Sequence, residues 1–193
     1  MIEWEMKIMN YLSQVVGAAK RGETIPTEPK WNKWVHRNLS PFHCFVCLKL
    51  HNCWFAKNAT PEYPHHEKCH CLLVDIPYVN VMFNAVANSP YSKFDPYLFN
   101  TDGKYTHTKE VLFKEWGYTA TDAKWLQSEI EKQGLEKYIN GDYSLGKLDR
   151  FGQRINIRVE IPDRKSGGTV SFVTGWMVGP DGQITLNIPY GGK

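Results

Sequence analysis

The sequence predicts an α+β chain: an N-terminal amphipathic helix, a small cysteine-rich module, then a domain with two or more helices ahead of an antiparallel β-meander. Three observations carry this. Apolar residues recur at helical spacing over residues 2–20. All five cysteines and six of the seven histidines fall between His36 and Asp75. After residue 152 the pattern turns to strict two-residue alternation. The boundaries that follow are 1–35 for the helix and its connector, 36–75 for the cysteine-rich module, 76–92 for a linker bracketed by Pro77 and Pro90, and 93–193 for the α+β domain.

In order along the chain, Trp4, Ile8, Tyr11, Leu12, Val15 and Ala19 share one helical face. Pro26 and Pro29 make residues 21–33 an extended connector, which ends on Trp31 and Trp34. Leu72, Leu73 and Val74 read as a strand closed by Pro77. Thr106 or Thr108 can cap a short helix carrying Val111, Leu112 and Trp116 and stopping at Gly117. Thr119 and Asp122 fit a capping box before a second helix, with Leu126 and Ile130 inward and Gly134 as its stop. Ile155, Ile157, Val159 and Ile161 then share one strand face, and Val170, Phe172, Thr174, Trp176 and Val178 another. Ile184, Leu186 and Ile188 align on a third strand after the turn Pro180-Asp181-Gly182.

The cysteine-rich module holds the sharpest chemistry. Cys44-x-x-Cys47 is followed, after a spacer, by His66-x-x-Cys69-x-Cys71. Two short chelating pairs separated by a loop are what a tetrahedral structural zinc site needs, since each pair fixes two ligands and the loop closes the other half. Cys44, Cys47 and Cys69 are the favoured ligands, with Cys71 or His66 in the fourth place. Cys53, inside the apolar run Cys53-Trp54-Phe55, reads as a small buried hydrophobe. His36, His43, His51, His65 and His70 read as surface groups or neighbours of the ligands. An odd cysteine count without a signal peptide points to a reduced compartment, hence metal rather than disulfides.

Composition excludes several classes. At 193 residues and 42% hydrophobic content the chain is globular, and no apolar run approaches the ~20 residues that span a bilayer, so no membrane is expected. The net charge of +3 is spread without a basic block, which argues against tight, sequence-blind nucleic-acid binding.

The Cys44-x-x-Cys47 pair continued by Leu48-Lys49-Leu50, with Pro64 ahead of His66-Glu67-Lys68-Cys69-His70-Cys71, resembles the C-terminal signature of phage Mu F-like head-morphogenesis (minor head) proteins. That family carries H-P-N-C-R-C, so the proline and asparagine are replaced here while the metal-capable positions remain. The resemblance spans about 40 residues. The family's long helical body is represented at most by residues 2–20. Downstream, His107-Thr108-Lys109, Phe113 before Gly117-Tyr118, and Gly175-Trp176-Met177-Val178-Gly179-Pro180-Asp181-Gly182 resemble an uncharacterised domain often appended to such phage proteins and to polymorphic toxins. The first resemblance implies a phage or prophage-derived, head-associated zinc-binding structural or interaction protein. Its N-terminal helix would dock on the head or another protein partner, in the bacterial cytoplasm or on the virion.

The helix-then-sheet order of the second half is similar, at the level of fold analogy, to small ribonuclease toxins, which sets an alternative: a toxin-like effector whose C-terminal domain is a metal-independent ribonuclease acting on RNA. That chemistry needs a base and phosphate-binding cations. The candidates are His107, the one histidine outside the cysteine-rich region, Lys109 two positions on, and Arg154 and Arg158 on the polar face of the first long strand.

Overall fold

The computed structural model describes residues 29–37, 44–105 and 107–192, together with residues 13, 20 and 21. The expected N-terminal helix, and the docking role given to it, lie outside the described residues. The architecture is mixed α and β, with two sheets.

The smaller sheet has the order β2-β1-β3, built from β1 (Trp31–Val35), β2 (Trp54–Ala56) and β3 (Leu72–Ile76), all antiparallel. Helix α1 (Phe45–Leu50) connects β1 to β2 and buries Cys47 and Leu50. Trp31 and Trp34, expected at the end of a connector, are instead the buried residues of the central strand.

The larger sheet has the order β4-β8-β7-β6-β5, with β4 (Val86–Asn88), β5 (Ser144–Asp149), β6 (Gly152–Pro162), β7 (Thr169–Val178) and β8 (Gln183–Gly192). The meander β5 to β8 is antiparallel, and β4 adds to β8 in parallel. Residues 76–92, read as a linker, therefore hold a helix, α2 (Tyr78–Asn84), and an edge strand of this sheet. The alternation on β6 and β7 buries Ile155, Ile157, Val159, Ile161, Phe172, Thr174, Trp176 and Val178. The short helix α3 (Lys109–Glu115), with Thr108 in the cap position, and the long helix α4 (Ala123–Ile139) cover that face: Phe113 of α3 packs against Phe172, and Gly134 of α4 meets Trp176.

Two details of α4 reward close reading. The Thr119–Asp122 capping box forms as expected, with Thr119 N–H donating to Asp122 Oδ2 at 2.8 Å, on a single tight turn that leads into the helix. Gly134, expected to stop the helix, lies well inside it. A Cβ there would sit 2.5 Å from Trp176 Cζ2, so the glycine serves close approach of helix to sheet.

The two sheets share one continuous apolar core. Tyr138 of α4 donates from its hydroxyl to Trp54 O at 2.7 Å, Tyr143 accepts from Ala56 N–H at 2.8 Å, and Cys53 pairs with Pro180 in an isolated antiparallel bridge. At the β7–β8 turn Gly182 has φ +81°, and a Cβ would come within 2.7 Å of Trp54 Cε3.

Candidate metal centre

Local geometry explains why the cysteines meet. Cys44 occupies the N-cap position of α1 and Cys47 lies one turn on, so both face the same side. The second half arrives on the loop that precedes β3, which ends in Cys71 immediately before Leu72; Tyr63 donates from its hydroxyl to Cys71 O at 2.8 Å and pins that end. Cys69 N–H donates to His66 O at 2.9 Å, a turn that brings the imidazole and the two thiols together.

Two triads result, Cys44-Cys47-His66 and Cys47-Cys69-Cys71, each with its donor atoms mutually within 4.8 Å and with Cys47 common to both. These groups could hold a metal ion. Thiolates about 2.3 Å from a tetrahedral zinc lie about 3.8 Å apart, and a thiolate and an imidazole nitrogen about 3.5 Å apart. Cys47 Sγ stands 3.8 Å from Cys69 Sγ and 3.5 Å from His66 Nε2. A cavity of about 10 Å³, lined by Cys44, Cys47, His66 and Cys71 among others, lies at this spot, which is room for one small ion. All five cysteines carry free thiols.

The electrostatics fit the same use. Burial pushes the Cys47 thiol far up, and the neighbouring sulfurs of Cys71, Cys44 and Cys69 push it further. Burial also raises Cys71. Cys69 would be raised by burial, but the backbone N–H groups of Cys71 and His65 bring it below the ordinary thiol value. Sulfurs this close cannot all ionise unless a cation sits among them.

Trp34 adds a signal that spacing does not contain. The side chain is 0% exposed and its Nε1 has no hydrogen-bond partner, yet the indole is the leading influence lowering the Cys71 pKa. A buried indole N–H without a partner is a donor that can serve a thiolate at Cys71. Cys53, by contrast, is outside both triads: it is fully buried, donates to Lys49 O at 3.4 Å, and is pushed up to about 12 by burial. His51 accepts from His36 N–H through Nδ1 at 3.1 Å. His65 stacks edge-on against His66, and His70 lines the cavity. His43 is outside the described residues.

The four candidate catalytic residues do not converge. Arg154 and Arg158 alternate with buried Ile155 and Ile157, so they project from the face opposite the helices. Arg154 pairs with Asp149 at 3.3 Å, and Arg158 donates to Ser171 Oγ at 3.1 Å. His107 and Lys109 stand at the start of α3, on the helix side. There the structure adds residues that the sequence did not single out: Tyr97 and Tyr105 flank the His107 ring, and Lys109 Nζ donates to Tyr97 OH at 3.0 Å.

Among the described residues, no helix is long and apolar enough to cross a membrane. No curated protein matches this chain, and no solved structure does. One family model does match, over residues 84–188, from the last residue of α2 through most of β8; it takes in the helix-covered sheet except the end of β8, leaves the cysteine cluster upstream, and covers more than half of the chain, which therefore belongs to the family described as Domain of unknown function (DUF6883).

Proposed function

We propose that this is a zinc-stapled structural and interaction protein, in which the ion holds the small sheet together and the family domain is carried beside it. The observation that supports this reading is the meeting of two metal-capable triads at Cys47, with Cys44, Cys47, Cys71 and His66 lining one ion-sized cavity and Cys69 Sγ 3.8 Å from Cys47 Sγ. The zinc takes Cys44 and Cys47 from the first half and Cys69 and Cys71 from the second. The lowered Cys69 and the unpartnered Trp34 N–H favour thiolates at Cys69 and Cys71, and His66, 3.5 Å from Cys47 Sγ, is then a fifth donor within reach. Four protein donors leave no place for a reacting water, so the ion serves folding. The resemblance of residues 44–71 to the head-morphogenesis signature supports a phage or prophage origin and a head-associated partner, with the protein made in the bacterial cytoplasm and carried with the virion.

Metal analysis of protein purified without chelator tests the core of this. About one zinc per chain is expected, retained in His66→Gln and lost in Cys71→Ser. A zinc content near zero, or disulfides among these cysteines, would refute the metal. Retention in Cys71→Ser with loss in His66→Gln would refute the ligand set. Head association predicts that the protein sediments with assembled particles.

A further inference from the structure

A second cluster lies within the family domain, away from the cysteines. Lys93, Tyr97, Tyr105, His107, Lys109 and Glu110 are all half-buried and meet where the turn Phe94–Leu98 passes the start of α3. The rings of Tyr97 and Tyr105 stand edge-to-face at 4.9 Å. His107 lies flat against Tyr105, at 5.5 Å and 14°, and edge-on to Tyr97 at 4.7 Å. Two ammonium groups flank the same Tyr97 ring, Lys109 Nζ 5.0 Å and Lys93 Nζ 5.8 Å from its centre.

The charges here are unevenly matched. Among the described residues neither Lys93 nor Lys109 has a carboxylate partner, and both are half-buried against the same ring. Glu110 faces His107, Oε2 to Nδ1 at 3.6 Å, and both of those atoms are buried with no hydrogen-bond partner, as is His107 Nε2; Asp95, in the same turn, is taken up by Thr101 Oγ1. Tyr97 OH accepts from Lys109, so its own proton remains to be given. The cluster thus offers two cations and a phenol donor beside a wall of stacked rings, with Glu110 committed to the imidazole. Packing alone gives no reason for two ammonium groups at one ring, and the buried His107 and Glu110 atoms without hydrogen-bond partners ask for an explanation.

We propose that this corner binds the phosphate group of a ligand, with Lys93, Lys109 and Tyr97 OH as its donors. Tyr105 and His107 form the surface on which an attached base stacks, and Glu110 holds the imidazole in place. The shared chemistry is a phosphate ester, carried by a free nucleotide or by RNA.

Titrating the full zinc-loaded chain with inorganic phosphate, uridine 3′-monophosphate and a six-nucleotide RNA separates the sources. The readout is the His107 ring resonance in proton NMR, assigned by its loss in His107→Gln. A saturable shift with at least one probe is expected, with affinity falling about tenfold in Lys109→Gln and in Lys93→Gln, the loss of one charge-assisted bond. Arg158→Gln, on the opposite face of the sheet, should bind as the wild type does. Nucleotide binding well above that of inorganic phosphate supports the stacking surface; RNA binding well above both makes a polymer the ligand. No shift with any probe, or wild-type affinity in Lys109→Gln, overturns the proposal. The zinc content of each variant shows that the metal module is intact, so failure here is separable from failure of the zinc reading.

Discussion

Replacing Trp34 by Phe asks whether the indole N–H waits for a metal-bound thiolate. The ring is fully buried on β1 and packs edge-on against Tyr63 at 5.5 Å. The substitution keeps an aromatic ring in that place and removes the donor. A hydrogen bond to a charged group is worth about 1.5–3 kcal/mol. Because the Trp34 N–H makes no full hydrogen bond in this structure, the lower part of that range applies, which corresponds to a tenfold to thirtyfold loss of zinc affinity, at roughly 1.4 kcal/mol per decade. Outer-shell partners of zinc ligands typically matter on that scale. Shrinking a buried ring also weakens the fold, and folding and metal binding are linked, so a control is needed. Trp31→Phe supplies it: Trp31 lies on the same strand, is 1% exposed, also has an unpartnered Nε1, and packs on Tyr138 at 5.1 Å rather than beside a cysteine. Zinc competition against a chromophoric chelator should place Trp34→Phe at least tenfold below Trp31→Phe. In cobalt-substituted protein the sulfur-to-metal charge-transfer band should move to lower energy in Trp34→Phe alone, since a thiolate without its donor gives up electrons more readily. Equal affinities and unshifted bands in the two variants would refute the reasoning.

Gly134→Ala should destabilise the fold by about 1–3 kcal/mol in denaturant unfolding, because the new methyl group would overlap the Trp176 ring; an unchanged midpoint would show that helix α4 can lift off the sheet at no cost. Asp122→Ala should cost about 1 kcal/mol at neutral pH through loss of the cap. Burial raises the Asp122 carboxyl, but Thr119 N–H and Arg164, at 2.7 Å, hold it below the usual carboxylate range. A lowered folded pKa gives stability that is complete above the unfolded value, about 3.9, and fades as pH falls through the folded one. The gap between wild type and variant should therefore narrow below about pH 4 in urea melts; a gap constant from pH 7 to 3 would sink the assignment. Gly182→Ala combines positive φ with a clash on Trp54, so thermal unfolding should show it less stable by more than 1 kcal/mol, in the range of roughly 1–3 for a strained position.

The meander was legible because β6, β7 and β8 bury one face and wet the other, which writes a period of two into the sequence. Strand β1 was not. As the middle strand it buries both Trp31 and its neighbour Asn32, and Trp34 beyond Lys33, so no clean alternation survives, and the preceding prolines suggested a connector. Strand β4 spans three residues, too few for any periodicity, and its parallel pairing with β8 depends on contacts distant in sequence. Gly134 was misread because a glycine that lets a helix approach a tryptophan looks the same as one that ends a helix. In the metal centre the ligand types and spacing were visible, whereas Trp34 was not, since its role depends on how β1 and β3 pair. The alternation already set Arg154 and Arg158 on the polar face of β6, but nothing in the sequence placed His107 and Lys109, at the start of α3, on the opposite side of the sheet.

An ion held by the cysteine cluster would reach beyond its own loop. A small sheet of three short strands buries little apolar surface, so on the zinc proposal it would rest on two supports, the ion and the family domain. Those supports are mechanically joined. Trp54 and Ala56 of β2 bind α4 and its C-terminal loop through Tyr138 and Tyr143, and Asn52 O accepts from Asp181 N–H at 2.8 Å in the β7–β8 turn that Trp54 covers. Withdrawing such an ion would remove what holds α1 to the loop before β3, and β1 and β2 would then be secured to the family domain alone. Chelation should therefore expose Trp54 and loosen the β7–β8 turn as well as the cysteine loop. Hydrogen exchange with and without chelator reads this directly: faster exchange at Asp181 N–H in the metal-free protein is the expected outcome, and protection there unchanged while the cysteine loop opens would mean that the two supports are independent.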